Sequence, residues 1–153
     1  MAEDRHYTVT IDDLLEQLRR RSTSKREKGR LFERLIRLFL RTDPLYKQLF
    51  DEVWLWDDAP TRTGADAGID LVARERDTGN LWAIQCKFYD EHHIIRRADI
   101  DSFFTASGKH PYVHRMLVVT APMDRQAQEA CSDQQIPVQI LDLEALRRSP
   151  IDW

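Results

Sequence analysis

Two apolar runs stand in the middle of the chain, Gly68-Ile69-Asp70-Leu71-Val72-Ala73 and Leu81-Trp82-Ala83-Ile84-Gln85-Cys86-Lys87-Phe88. The turn Asp77-Thr78-Gly79-Asn80 lies between them, and two such runs joined by a turn of this kind predict a β-hairpin. Polar residues interrupt both runs, Asp70 in the first and Gln85 and Lys87 in the second. Because side chains alternate along a strand, Gln85 and Lys87 share one face, about 6–7 Å apart.

The register of this hairpin determines which polar residues meet. A hairpin centred on Thr78–Gly79 places Asp70 opposite Lys87 and Val72 opposite Gln85. Opposed residues point to the same side of the sheet, with Cβ atoms about 4.5–5.5 Å apart. We therefore expect one face to gather a carboxylate, an amide and an ammonium group.

Such a cluster suits phosphodiester hydrolysis. The Asp70 carboxylate, the Gln85 amide oxygen and the Cys86 backbone carbonyl are oxygen ligands of the kind that Mg²⁺ prefers. A cation held there polarises a phosphate and lowers the pKa of a bound water. Lys87 would orient or deprotonate that water, or stabilise charge on the phosphorane. The alternative is a cross-strand Asp–Lys ion pair on a solvated face of the sheet.

The arrangement of Asp70 followed by Gln85-x-Lys87 resembles the PD-(D/E)xK nuclease superfamily, and the glutamine resembles its Mrr-like restriction endonuclease branch. The lead-in Thr63-Gly64-Ala65-Asp66-Ala67-Gly68-Ile69-Asp70-Leu71-Val72 is similar to the glycine- and aspartate-rich approach to the metal-binding strand in that branch. The likeness covers about residues 26–141 and extends to the N-terminal nuclease domains of large helicase-containing restriction proteins, such as the single-chain Type ISP enzymes. Gln85 stands where most of the superfamily has an acid.

This resemblance implies a Mg²⁺-dependent DNA endonuclease domain, with Mn²⁺ as a substitute and double-stranded DNA as substrate. It implies Asp70 as a metal ligand, Gln85 as a weaker ligand or water positioner, and Lys87 as the catalytic cation. It also implies helicase or translocase and specificity domains in the same longer polypeptide. Two alternatives are a non-catalytic DNA-binding or docking module of the same fold, and a stand-alone junction resolvase.

The charge of the chain is unevenly distributed. The net charge of −3 by itself argues against a nucleic-acid binder. Between Arg19 and Arg41, however, ten Lys or Arg stand against two acids, a stripe of the kind that attracts a phosphate backbone. Arg30 and Arg34 are candidate DNA contacts in this stripe, and a solvated helix face is the alternative reading.

Glu33 is one of the two acids in that stripe. From spacing alone it is an i,i+4 partner for Arg37. By the resemblance, a glutamate on the first helix of the core points into the active site and helps to hold metal or water. Glu33 is therefore the fourth candidate catalytic residue.

Two further positions invite a functional interpretation. Ser107 and Lys109 lie at the end of the helix predicted at about 97–107, after the hairpin. The resemblance implies that this helix lies beside the active site, where Ser107 or Lys109 would contact a phosphate; the alternative is an ordinary helix C-cap at Gly108. The segment lacks the spacing of a phosphate loop, so we expect no ATP site in this chain. Asp66, four residues before Asp70, either binds a second metal or caps its loop.

The order helix, strand, hairpin, helix, strand, helix, strand predicts an α/β fold, a restriction-endonuclease-like sandwich with a mixed central sheet and helices on both faces. Helix 25–41 should turn Leu31, Leu35, Leu38 and Phe39 inward. At 153 residues the chain is long enough for one core. We expect a helical extension at 1–24, the nuclease domain at 25–148, and the start of a linker to a further domain at 149–153.

From its composition and its two cysteines we expect this domain in a reducing cytoplasm. The sequence is 42% hydrophobic and 32% charged, and no apolar run approaches the roughly 20 residues of a membrane span. The N-terminus has no signal-peptide pattern, and the two cysteines suggest neither a disulfide framework nor a zinc site.

Overall fold

A computed structural model describes residues 9–63 and 68–153 of the chain. Within these ranges, no helix is both long enough and apolar enough to cross a membrane. The helices are α1 Ile11–Arg21, α2 Lys25–Thr42, α3 Pro44–Leu49, α4 Arg97–Ser107, α5 Arg125–Ser132 and α6 Leu143–Arg148. The strands are β1 Phe50–Leu55, β2 Leu71–Glu75, β3 Leu81–Lys87, β4 Tyr112–Val119 and β5 Val138–Leu141, and a 3₁₀ turn at Trp56–Asp58 follows β1.

The strands form one mixed sheet in the order β1-β2-β3-β4-β5. The first three strands are antiparallel neighbours, and the helical crossovers through α4 and α5 make β4 and β5 parallel to β3. Core residues of α1, α2 and α6 cover one face, and Phe103 of α4 and Ala127 of α5 belong to the core on the other face. The predicted α/β sandwich is confirmed.

The hairpin register differs from the predicted one by two residues. Leu71 pairs with Ile84, and the same register carries Asp70 beside Gln85 rather than beside Lys87. The loop runs from Arg76 to Gly79, and Gly79 closes it with a φ of 73°. Because the shift is even, every side chain keeps its predicted face.

Helix α2 is attached to the sheet by an apolar stripe and by two arginines. Its buried residues are Phe32, Ile36, Phe39 and Leu40. Leu38, which we expected to point inward, is 56% exposed, so that prediction is wrong. The stripe follows the 3.6-residue period from Phe32 and turns Leu38 outward. Arg37 Nε and Arg41 Nη2 both donate to the Val53 carbonyl, at 3.1 and 2.9 Å, which ties the helix to β1.

This packing predicts unequal costs for two truncations on α2. Ile36→Ala should lower the free energy of unfolding by about 2–5 kcal/mol, because Ile36 is fully buried between helix and sheet. Leu38→Ala should change it by less than about 0.5 kcal/mol, since the side chain is mostly in solvent. Urea denaturation followed by circular dichroism measures both. Equal losses would contradict the assigned packing of α2.

The N-terminal helix and the C-terminal tail pack on the same core. Ile11 and Leu15 of α1 belong to the core cluster that contains α2. Arg147 of α6 donates two hydrogen bonds to the Asp12 carboxylate, which hold the pKa of Asp12 below its usual range. The tail ends with Trp153 stacked on Phe39. The proposed division at residues 24 and 148 stays a prediction.

Candidate active site

Asp70 lies between the end of β1 and the middle of β3. Its N–H donates to the Ile84 carbonyl, and its own carbonyl accepts from the Trp56 N–H, both at 2.9 Å. The side chain then reaches forward, and Oδ2 accepts a 2.8 Å hydrogen bond from the Cys86 N–H. Two main-chain hydrogen bonds, to β3 and to the turn after β1, therefore hold the Asp70 backbone, and a third, from β3, holds its carboxylate.

Gln85 is 4% exposed, and its amide is held in one orientation. Nε2 donates to the Gly68 carbonyl at 3.0 Å. A carbonyl can only accept, so the amide nitrogen must face Gly68 and Oε1 must point elsewhere. Among the residues described, Gln85 Oε1 is buried and accepts no hydrogen bond. An unsatisfied buried acceptor costs about 1–3 kcal/mol, which makes this oxygen a candidate ligand for a cation.

These residues line a cleft of about 580 Å³. It is bounded by Glu33, Gly68, Asp70, Gln85, Cys86, Lys87 and Ser102. The structure thus brings together the four residues that the sequence nominated as catalytic. Their roles stay predictions, since proximity does not assign them.

Lys87 is half-buried at the end of β3. Its ammonium group makes no ion pair with any residue of 9–63 or 68–153. The alternative of a cross-strand Asp70–Lys87 ion pair is therefore not what the structure shows. The cation instead lines the cleft beside the oxygen ligands.

Two acids, Glu33 and Asp70, lie at this end of β3 and act on the Cys86 thiol. Burial raises the pKa of this thiol well above the usual value, and the negative charges of Asp70 and Glu33 raise it further. Glu33 belongs to α2 and Asp70 directly precedes β2, so two separate parts of the fold contribute charge to the same small region. The Cys86 side chain itself faces the core beside α2.

The Cys86 carbonyl is turned toward the cleft. The next carbonyl along the strand, that of Lys87, accepts from the Thr120 N–H on the β4 side. Because successive carbonyls of a strand point to opposite edges, the Cys86 carbonyl points to the β2 edge, where Asp70 lies.

The donor set suits a hard cation. The Asp70 carboxylate, Gln85 Oε1 and the Cys86 carbonyl are oxygen donors, which Mg²⁺ accepts while keeping several waters. The orphaned Gln85 oxygen is the observation that supports the fit. No cluster of three or more Asp, Glu, His or Cys side chains suited to a metal occurs among the described residues.

A second groove, of about 530 Å³, adjoins the first. It runs along the N-terminal half of α2 and includes Arg30 and Arg34, the two arginines nominated as DNA contacts. Glu33 and Asp70 line both spaces, so the acids form the wall between them. Gly64 and Asp66, also singled out from the sequence, lie outside the described residues.

Ser107 is not placed to contact a phosphate. It is fully buried, and its hydroxyl donates to the Phe103 carbonyl. The interpretation as part of the α4 C-terminus is the correct one, and Lys109 follows it as an exposed residue. The residue of α4 that lines the cleft is Ser102, which the sequence reading missed.

The direction of the crossover explains this difference. Helix α4 leaves the end of β3 and must run back to the beginning of the parallel strand β4. Its first half therefore passes the cleft, and its last turn lies at the far end of the sheet.

The comparisons with known proteins agree with the fold and with the predicted family. The chain belongs to a restriction endonuclease family, which matches residues 41–153. The resemblance to Mrr-like restriction endonucleases is thereby confirmed. No curated protein sequence matched the chain.

Solved structures with a similar fold include three restriction enzymes. The ATP-dependent Type ISP restriction-modification enzyme LlaBIII bound to DNA has a TM-score of 0.78 and 34% identity over 95% of this chain. MspJI restriction endonuclease in complex with a 27-mer oligonucleotide and the DNA modification-dependent restriction endonuclease AspBHI have TM-scores of 0.63 and 0.61, each at 20% identity over 88% of the chain. The present chain spans 9%, 29% and 33% of these three proteins.

Proposed function

We propose that this chain is the metal-dependent DNA endonuclease module of a restriction-modification or phage-defence protein. The observation that carries the proposal is the cleft in which Asp70, Gln85 and Lys87 meet Glu33. The cleft combines a carboxylate, a buried amide oxygen that accepts no hydrogen bond from the described residues, and an ammonium that pairs with no described carboxylate. This combination fits the hydrolysis of a phosphodiester. Membership of the restriction endonuclease family supports DNA as the substrate.

Asp70, Gln85 and the Cys86 carbonyl would hold the cation, Mg²⁺ or in its place Mn²⁺. When bound, the ion would polarise a phosphate oxygen and lower the pKa of a coordinated water. The chain prepares this site before any ligand enters. The Cys86 N–H fixes Asp70 Oδ2, and the Gly68 carbonyl fixes the Gln85 amide, so the donors need no reorganisation.

Lys87 supplies positive charge where negative charge develops on the phosphate. It either orients the attacking water, removes its proton, or stabilises the charged transition state. Glu33 faces the same cleft from α2 and would accept a hydrogen bond from that water. Ser102, on the opposite helix, is within the lining and offers a hydroxyl to the substrate.

We further propose that a motor and a specificity domain belong to the same longer polypeptide. The support is the 34% identity to LlaBIII, an ATP-dependent enzyme of which this chain spans 9%. ATP hydrolysis would then take place outside residues 1–153, in keeping with the absence of a phosphate-loop pattern in their sequence. The cytoplasm is the compartment that fits such a machine.

Supercoiled plasmid provides the test. The purified chain is expected to convert it to nicked and linear forms with Mg²⁺ or Mn²⁺, and to leave it intact when EDTA removes the metal. Agarose gels over a time course measure the rate. Nicking that continues in EDTA would contradict the metal site. DNA binding without cleavage under any metal would favour the non-catalytic module instead, and a strong preference for four-way junctions would favour the resolvase.

A further inference from the structure

The groove beside the active cleft is strongly basic. Its cationic lining consists of Lys25, Arg26, Arg30, Arg34 and Arg62. Of its three acids, Glu33 and Asp70 belong to the wall shared with the cleft, and Asp57 lies 4.0 Å from Arg62. Away from the shared wall, the groove is therefore a surface for an anion.

Three of these cations form a row. Arg26, Arg30 and Arg34 are spaced at i, i+4 and i+8, which puts them on one face of α2 with an advance of about 6 Å per step. All three are exposed, and none forms an ion pair with another described residue. The row ends beside Glu33, at the wall of the cleft. An extended polyanion lying along the row would be led to the catalytic residues.

Gly29 lies in the same groove, inside a regular helix. A glycine in a helix interior is less stable than alanine, so it usually has a packing or functional reason. Packing supplies none here, because a Cβ at Gly29 would meet no described atom within 4 Å. The missing side chain instead leaves the floor of the groove open between Arg26 and Arg30, where a backbone could approach the helix closely.

We propose that this groove binds the sugar-phosphate backbone of one strand of duplex DNA, with Gly29 as the point of closest approach. The strand then passes the wall formed by Glu33 and Asp70 into the cleft. The inference rests on the proposed function only in taking this strand as the substrate.

The first test is the salt dependence of binding. Fluorescence anisotropy in EDTA measures the affinity of the chain for a labelled 25-base-pair duplex between about 50 and 200 mM salt, the range over which phosphate contacts weaken. The double variant Arg30→Gln with Arg34→Gln should reduce the slope of log K against log salt by about 1.8, or 0.9 for each lost phosphate contact. The control is Arg125→Gln with Arg148→Gln, the same change in charge at exposed positions on α5 and α6. Equal slopes for the two double variants would overturn the proposal.

The second test separates binding from stability. Gly29→Ala should raise the midpoint of thermal unfolding, because alanine favours the helix and meets no neighbour. The same variant should bind the duplex several-fold more weakly, and Gly29→Gln more weakly still. A more stable protein that binds DNA as tightly as the unmodified chain would overturn the role of Gly29.

The two proposals fail in different ways. If binding depends on the groove and no metal supports cleavage, the groove stands as a DNA-binding surface and the nuclease assignment fails. If the Arg30→Gln, Arg34→Gln protein cleaves plasmid with an unchanged KM, the nuclease assignment stands and the proposal that the groove binds DNA is overturned.

Discussion

Lys87→Met is expected to lower the rate of metal-dependent plasmid nicking by about 100-fold or more, the usual cost of removing one electrostatic group from a transition state. Methionine keeps most of the length of the side chain but has no charge. The variant should lose activity but remain folded. No described carboxylate pairs with the ammonium, so its removal leaves no buried carboxylate without a partner. Single-turnover nicking at saturating Mg²⁺, beside a thermal melt, measures both.

Asp70→Asn should cause a loss of similar size for a different reason. Asparagine retains an oxygen for the Cys86 N–H, so the link between the start of β2 and β3 persists. It removes the charge that would hold the cation, so the half-saturating Mn²⁺ concentration should rise. Arg125→Gln, an exposed change on α5, serves as a control that keeps full activity. Unchanged rates in both Lys87→Met and Asp70→Asn would place the chemistry elsewhere.

The sequence predicted which strand residues would lie together, but not how they pair across the hairpin. Side chains alternate along a strand, so the sheet face on which each one lies can be predicted without knowing the geometry of the loop. The register depends on the turn, and Gly79 takes its positive φ at the last loop position instead of the centre. The observed register therefore places Asp70 beside Gln85 instead of beside Lys87. Because the shift is even, all three side chains still lie on the same side of the sheet.

The contributions of the helices were harder to foresee. Whether Glu33 faces Arg37 or the cleft depends on how α2 rolls against the sheet, which local spacing does not determine. In the structure Arg37 donates to the Val53 carbonyl, and Glu33 lines the cleft. Ser102 could have been predicted from the sequence. The parallel crossover already implies that α4 passes the site with its first half and not with Ser107.

Gly68 is expected to control activity through Gln85. Its φ of 82° is strained for any residue with a Cβ, and a Cβ there would lie 3.1 Å from the Ser102 carbonyl oxygen. Gly68→Ala should therefore displace the carbonyl that holds the Gln85 amide, so that Oε1 is no longer fixed. A displacement near 1 Å at a catalytic site costs about 100-fold in rate, and we expect a loss of that order.

Gly79→Ala is the matched control, because Gly79 also has a positive φ but a Cβ there meets no described atom within 4 Å. The left-handed conformation costs alanine about 1–2 kcal/mol of stability at either position. Rates measured at a temperature where both variants remain folded should fall only for Gly68→Ala, together with a higher half-saturating Mn²⁺ concentration. A similar loss of rate in both variants would mean that Gly68 supports the fold and has no separate effect on activity. A loss confined to Gly68→Ala would instead show that Gln85, a neutral side chain, works as a ligand only while its amide is held.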